Sequence, residues 1–293
     1  MKWKFLLLGC FGLLFNPIQA NSDELLERCL VVGDSKDAVL NIIRENGDCF
    51  DFEYDIEGIL YNFIGKKYGA GAWGLKPGKT LINIHELNCV TFIETAWAIL
   101  LTKRWLATHP KAQSDEELLL GQFVSYLDNF RYYNGVNCVW EDRITYFTDQ
   151  LYQMQDAGLL YDVAAQNGFI FDKKIHYISS NKKKFRGFTN WDRISKQEER
   201  LNARKKFYYP IHEYDRYAAV AKTGDIIALA TNVAGLDVSH CGFISRDNDE
   251  LKFSHASMLK KKVVFKEDFC SYLGNRTTIT GFFVFRPAFA TSN

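Results

Sequence analysis

Residues Ile84 to Thr95 read IHELNCVTFIET. A cysteine follows an asparagine, and from Cys89 to Lys103 the apolar residues Phe92, Ala96, Ile99 and Leu100 recur at helical spacing. Cys89 therefore falls at the start of a predicted helix. Two readings of that placement compete. A free cysteine is a small hydrophobe suited to a core. A cysteine at a helix N-terminus also meets the positive end of the helix dipole, which favours the thiolate and makes a nucleophile.

Working outward, Asp23 to Glu45 carries an apolar face of leucines, valines and Ile43 that predicts a helix, and Asp51 to Tyr68 predicts another. The stretch YGAGAWG reads as a loop leading into a short apolar run before Cys89. Downstream, SDEELLLGQFVSYLDNF predicts a helix with Ser114 as N-cap and Glu117 completing a capping box. Tyr132 to Phe207 is aromatic and polar. Its basic run Lys182, Lys183, Lys184 and Arg186 reads as solvated surface, and SKQEERLNARKKF as an exposed helix.

The last eighty residues change character. GDIIALAT, SHCGFISR, ELKFSHAS, KKVVFKED and TGFFVFRP are short β-rich runs, and Asn248 with Asp249 predicts a hairpin between two of them. A helical first half followed by an antiparallel sheet is an α+β layout. No internal repeat or low-complexity linker divides the chain.

At 293 residues the chain is long enough to bury a sizeable core, and 47% hydrophobic with 15% aromatic residues reads as a folded protein. With 36 basic against 35 acidic residues, overall charge gives no case for nucleic acid as a partner. The N-terminus, MKWKFLLLGCFGLLFNPIQA, has Lys2 and Lys4, an apolar run from Phe5 to Phe15, Pro17, and a small residue at Ala20. That predicts a secretory signal peptide over residues 1–20 and a single domain over 21–293. The apolar run is short for a spanning helix, and no later stretch is long enough. Leu7-Leu8-Gly9-Cys10 could be a lipoprotein box, but the apolar run continues past Cys10. Cleavage after Ala20 leaves 34 basic and 35 acidic residues.

Of seven cysteines, Cys10 leaves with the leader and Cys29, Cys49, Cys89, Cys138, Cys241 and Cys270 remain. No CxxC pair or clustered Cys/His spacing exists, so no metal site is expected. Cys29 and Cys49 could form a bridge. Cys138, Cys241 and Cys270 read as buried small hydrophobes.

A nucleophilic cysteine needs a base. His85 is near in sequence but precedes the helix in an extended run. His109, His176 and His212 lie in exposed or polar stretches. His240 and His255 fall on two consecutive predicted strands, and adjacent antiparallel strands can bring two imidazoles together on one face. One could act as base and the other orient it. Alone, that pattern fits two ordinary half-buried strand histidines better.

The segments NCVTFIE (Asn88 to Glu94), GDIIA (Gly224 to Ala228), GLDVSHCG (Gly235 to Gly242) and HAS (His255 to Ser257) occur in this order. Together they resemble the bacterial N-acetylmuramoyl-L-alanine amidase-like family of cysteine hydrolases, relatives of the NlpC-type cell-wall peptidases. RYYNG (Arg131 to Gly135) and DRITYF (Asp142 to Phe147) also resemble family segments, so the likeness spans most of Tyr68 to Pro287. Two departures are Thr145, where a histidine is expected, and Cys241, where an aliphatic residue is usual.

The resemblance implies a papain-like α+β fold in which a nucleophile-bearing helix packs on a C-terminal antiparallel sheet, with a large helical insertion at about 104–215. Cys89 would be the nucleophile, His240 the general base and His255 the orienting group, with no metal or organic cofactor. Arg131, Tyr132 and Arg143 are the expected substrate contacts, since arginine grips a carboxylate with two parallel hydrogen bonds. Buried pairing with Glu141 or Asp142 is the competing reading of these arginines. Asp237 reads as a turn residue on the face away from His240, and Cys241 as pointing to that opposite face. Glu94, on another side of the helix from Cys89, reads as a loop anchor.

The implied substrate is peptidoglycan or a muropeptide, met in the periplasm or after secretion. The implied bond joins N-acetylmuramic acid to L-alanine. A cut within the stem peptide, such as after D-glutamate, is the alternative. An exported effector on another amide and a non-cutting binder of wall fragments are the further readings.

Overall fold

The computed structural model describes residues 27–47, 49–71, 77–135, 137–274 and 276–290. The expected signal peptide lies outside them.

Strand β1 (Cys29–Val31) is followed by helices α1 (Ser35–Arg44) and α2 (Phe52–Asn62) and by strands β2 (Lys67–Tyr68), β3 (Thr80–Ile82) and β4 (Glu86–Leu87). Then come α3 (Cys89–Thr108), α4 (Glu116–Arg131), α5 (Phe147–Asp156), β5 (Leu160–Asp162), α6 (Ala164–Asn167), β6 (Phe169–Ile170), α7 (Tyr177–Ser180) and α8 (Trp191–Ala203). The chain ends with β7 (Phe207–Pro210), α9 (Tyr214–Ala218), β8 (Ile226–Thr231), β9 (Val238–Asp247), β10 (Glu250–Ser257), β11 (Lys262–Asp268), α10 (Phe269–Gly274) and β12 (Ile279–Pro287).

The strands form a ten-stranded sheet in the order β4-β2-β11-β10-β9-β8-β12-β7-β6, with β5 also on β12, while β1 pairs with β3 separately. Every pairing in the large sheet is antiparallel except β2 with β4. The hairpin expected at Asn248 joins β9 to β10, with Asn248 at φ 54°. This is the mixed α+β layout read from the sequence.

Both faces of the central strands are covered, which is why they read as continuous apolar runs. Ala228, Ala230, Cys241, Phe243, Phe283 and Phe285 belong to the core that includes α3. Ile227, Leu229, Ile244, Phe253, Phe282 and Val284 belong to a second core with Phe269 and Tyr272 of α10. Helix α3 is buried nearly all round, so its apolar residues form no single stripe. Phe92 meets Phe243 of β9 at 5.9 Å between ring centroids and Phe63 at 5.8 Å. The buried Lys103 ties α3 to α2 through Asp55 at 3.2 Å. Among the described residues no helix is long and apolar enough to cross a membrane.

The N-terminal expectations need correction. Cys29–Val31 is a strand, because parallel pairing with Thr80–Ile82 overrides the local helical pattern, and Gly33 at φ 58° separates it from α1. The second helix stops at Asn62. Gly65 turns the chain at φ 75°, and Lys67–Tyr68 pair with β4. Helix α4 is capped by Asp115, whose carboxylate accepts from Leu118 N at 3.0 Å, while Ser114 closes a preceding 3-10 turn.

Candidate active site

Helix α3 begins at the cysteine because Asn88 caps it. The Asn88 Oδ1 accepts from Val90 N at 3.0 Å and Thr91 N at 2.9 Å, and Thr91 Oγ1 accepts from Asn88 N at 2.9 Å, a closed capping box. This fixes Cys89 as the first helical residue of a 20-residue helix. The Cys89 N–H is left as the first-turn donor not taken by the cap.

The Cys89 thiol is held well below its ordinary range. The largest cause is a hydrogen bond from the Cys241 thiol. Burial opposes it, and the charge and hydrogen bonding of His240 add to the lowering. Cys241 moves the other way, because burial and the neighbouring Cys89 sulfur both keep its proton on. Strand alternation does put Cys241 on the face away from the second core. That face is the one α3 covers, so Cys241 meets Cys89.

His240 Nε2 lies 2.7 Å from His255 Nδ1, with the rings perpendicular and centroids 4.8 Å apart. The other nitrogen of His255, Nε2, lies 3.0 Å from Glu267 Oε2 on β11. Glu267 Oε1 accepts from Lys260 Nζ at 2.7 Å. The His255 ring is fully buried. Phe253 stacks on it at 4.7 Å and Tyr272 meets its edge at 5.0 Å. Burial and the neighbouring His240 push His255 down to about 4, although Glu267 pulls the other way. Gly242 makes the stacking geometry possible, since a Cβ there would lie 2.6 Å from a ring carbon of Phe253.

Cys89, His240 and Cys241 border a cavity of about 400 Å³, within the usual range for small-molecule sites. Leu236, Asp237 and Val238 form part of the wall. Arg143, Thr145, Tyr146 and Phe147 line it from the segment before α5, and Tyr177, Ile178, Lys184, Phe185 and Phe188 from the region around α7. Most of the wall away from the sulfur therefore comes from the 104–215 stretch, which supplies all five of its Phe and Tyr side chains. Lys184 is exposed, as its basic run suggested, and it also lines the cavity and donates to Tyr177 Oη at 2.9 Å.

A profile of the N-acetylmuramoyl-L-alanine amidase-like family matches residues 59–279. The chain belongs to that family. Among solved structures, an N-acetylmuramoyl-L-alanine amidase from Bacteroides uniformis is similar at 25% identity and a TM-score of 0.66, over 80% of this chain and 98% of the other. A putative xylanase from Bacteroides fragilis is similar at 28% identity and a TM-score of 0.67, over 78% and 99%. A Legionella pneumophila protein at 20% identity shares the fold, with a TM-score of 0.61 over 91% and 97%. No curated protein sequence matches the chain.

In this amidase-like chain the three residues expected to bind substrate separate. Arg143 lines the cavity, whereas Arg131 and Tyr132 are each 3% exposed and lie outside that lining. The two arginines converge on Glu94, not on Glu141 or Asp142. Arg131 Nε donates to Glu94 Oε2 at 2.7 Å, Arg143 Nη2 to Oε1 at 2.5 Å, and Gln150 Nε2 to Oε1 at 2.9 Å. Glu94 is thus the centre of a buried ionic cluster joining α3, α4 and the cavity wall. Tyr132 pairs with Arg143 through a lone β-bridge.

Asp237 lies in the bend that leads into β9, as read, but it is not a surface turn residue. It is 1% exposed and accepts from Thr148 N at 3.0 Å and Thr148 Oγ1 at 2.7 Å, which fixes the start of α5 beside the cavity. His85 pairs with Asp34 at 2.8 Å, His109 stacks on Trp105, His176 bonds Ser180 and His212 is exposed near Glu213, so none of these joins the site. Cys29 is buried, Cys49 is exposed, and the two are not bridged. Cys138 and Cys270, expected to be buried, are exposed.

Glu267 and Tyr68 escaped the sequence reading. Glu267 is one charge in the run Lys266-Glu267-Asp268, with nothing local to set it apart. Tyr68 sits on β2 opposite Leu87, close enough that charge at Cys89 and Cys241 adds to the burial that raises its hydroxyl.

Proposed function

We propose that this chain is an exported cysteine amidase on a papain-like, NlpC-type scaffold. It hydrolyses an amide bond of peptidoglycan, foremost the bond between N-acetylmuramic acid and L-alanine. The observation that carries the reading is a thiol held well below its ordinary range at the start of a buried helix, in contact with His240 at the floor of a cavity. A protein that only bound wall fragments would have no use for such a thiol.

The Cys89 thiolate attacks the amide carbonyl carbon, and the oxyanion that forms faces the Cys89 N–H. His240 delivers a proton to the leaving amine as the C–N bond breaks. For the leading bond the stem peptide departs with a free L-alanine amine, and the lactyl group stays as a thioester on Cys89. Water then attacks the thioester, His240 takes its proton, and the acid leaves as the thiolate is restored. His255 orients His240. Arg143 has a place on the wall, but its fork is engaged by Glu94, so stem-peptide carboxylates fall more naturally to Lys184. A glycosidase reading, which the name of one structural neighbour raises for that protein, needs two carboxyl groups flanking the bond. Asp237 is the one acidic residue among those lining this cavity.

Cleavage inside the stem peptide keeps each step and changes the acyl group. Digestion of peptidoglycan and soluble muropeptides by the mature protein and its Cys89→Ala variant, read by mass spectrometry, decides between them. Intact stem peptides released by wild type alone support the amidase. Cuts within the stem promote the endopeptidase. No product from a reduced, folded enzyme sinks the cell-wall assignment. Export is tested separately, by a mature N-terminus at Asn21 in the periplasmic or secreted fraction.

A further inference from the structure

We propose that Glu267, locked by Lys260, acts through His255 to decide whether the His240 nitrogen facing the Cys89 thiol carries a lone pair or a proton. This rests on the thiol–imidazole reading above and adds a positioning residue to it.

The argument is a count of protons along the chain. An ionised carboxylate only accepts hydrogen bonds. Glu267 is held below the usual carboxylate range. Burial opposes this, and the hydrogen bonds from His255 and Lys260 outweigh it. His255 Nε2, 3.0 Å from that carboxylate, must therefore carry a proton. With His255 pushed down to about 4, its ring holds one proton at neutral pH, so Nδ1 is a lone pair. The 2.7 Å contact is then a donation from His240 Nε2–H to His255 Nδ1. His240 Nδ1 becomes the atom that exchanges a proton with Cys89. The same polarity suits the thiolate–imidazolium form, whose second N–H still finds an acceptor.

Reversing His255 would reverse both rings. Its Nδ1–H would point at His240 Nε2, and His240 would present an N–H that cannot take the thiol proton. The β-structure guards against this. Glu267 pairs with Phe253, and the register then shifts so that His255 pairs with Val264. Lys266 turns at φ 55° in the bulge, and its N–H bonds Ser254 Oγ at 3.1 Å. The Glu267 carboxylate thus reaches diagonally to a histidine two residues along the neighbouring strand. The other polar groups facing this chain are Tyr272 and Arg276, beyond His240 and the Cys89–Cys241 pair.

Lys260 makes the proposal testable. In Glu267→Gln the ammonium still demands an oxygen, so the amide turns its carbonyl to Lys260 and its NH2 to His255. That forces the reversed tautomer. Glu267→Ala merely permits both tautomers. Expected activity therefore ranks wild type, then Ala, then Gln, with Gln down on the order of 100-fold or more. The bound is the roughly 10⁴-fold a wrong tautomer costs when the orienting group touches the base directly. Lys260→Met alone stays within about threefold, and adding it to Glu267→Gln frees the amide to turn and recovers at least about tenfold.

The rates are read twice, as muropeptide hydrolysis and as the pH profile of Cys89 alkylation by iodoacetamide, followed on the Cys89 peptide by mass spectrometry. The second needs no substrate. Wild type that alkylates at low pH yet cleaves no wall fragment removes the substrate assignment and leaves this proposal to be judged on alkylation. A merely structural Glu267 predicts the opposite order, with the isosteric Gln milder than Ala. That order, or a double variant no better than Glu267→Gln, overturns the proposal.

Discussion

Glu94 lies on α3, five residues after Cys89, and its removal tests whether Arg131 and Arg143 belong to the scaffold or to the substrate. Burial pushes its carboxyl up, but the Arg143 and Arg131 guanidiniums together outweigh burial and hold it below the usual range. Glu94 is fully buried, and side-chain exposure at Arg131 and Arg143 is 4% and 1%. Truncation to alanine strands two guanidiniums in a low-dielectric interior, although Arg131 Nη1 keeps Leu81 O at 2.7 Å and Arg143 Nη1 keeps Arg131 O at 3.0 Å. Breaking a buried ion pair from one side costs about 3–5 kcal/mol. For a chain of this length a loss of that size lowers Tm by roughly 5–10 °C. Glu94→Gln keeps the volume and one carbonyl acceptor, and loses about half as much. Calorimetry at pH 7 on both variants measures it. A Tm change under about 1 °C for Glu94→Ala would refute the buried-cluster account. So would Arg131→Met if it raised KM with Tm unchanged, the signature of a substrate contact.

Three further outcomes follow from the geometry. Cys241→Ala removes the largest cause of the low Cys89 range, so the onset of Cys89 alkylation moves to higher pH, while Cys241→Ser, whose hydroxyl still donates, stays near wild type. Gly242→Ala would put a Cβ 2.5 Å from the Ser254 carbonyl oxygen and 2.6 Å from the Phe253 ring, so β10 must shift beneath His255; turnover falls about 10-fold or more with KM little changed, and Phe253→Leu, which leaves the backbone clash in place, does not restore it. Asp162, on β5, is pushed by burial from 3.8 to about 7. Between those values the folded chain holds a proton that the unfolded chain has lost, so this group makes stability fall as pH rises from about 4 to about 7. Asp162→Asn, which can still accept from Ala164 N, removes that slope and raises Tm at pH 8 more than at pH 5. An unchanged slope would contradict the burial of this carboxyl.

The sequence by itself determined those features that depend on neighbours along the chain. Helical spacing after Cys89 and the Asn88 cap set the start of α3, because a capping box is closed by residues three apart. Short β-rich runs and the Asn248 turn set the β9–β10 hairpin, whose register runs from Glu250 opposite Asp247 to Ser254 opposite Phe243 and leaves His240 within diagonal side-chain reach of His255. The motif order carried the family.

Tertiary structure decided the rest. Residues Cys29–Val31 became a strand through a partner some fifty residues away. Glu94 drew in Arg131 and Arg143 because burial makes an unpaired guanidinium costlier than a lost surface contact, a quantity no local pattern encodes. Cys241 met Cys89 because α3 covers that face of β9. Alternation says only that neighbouring side chains point apart, not what waits on either side. Glu267 reached His255 through a bulge whose extra residues shift the strand register, and a shift of one residue changes which face every later side chain takes.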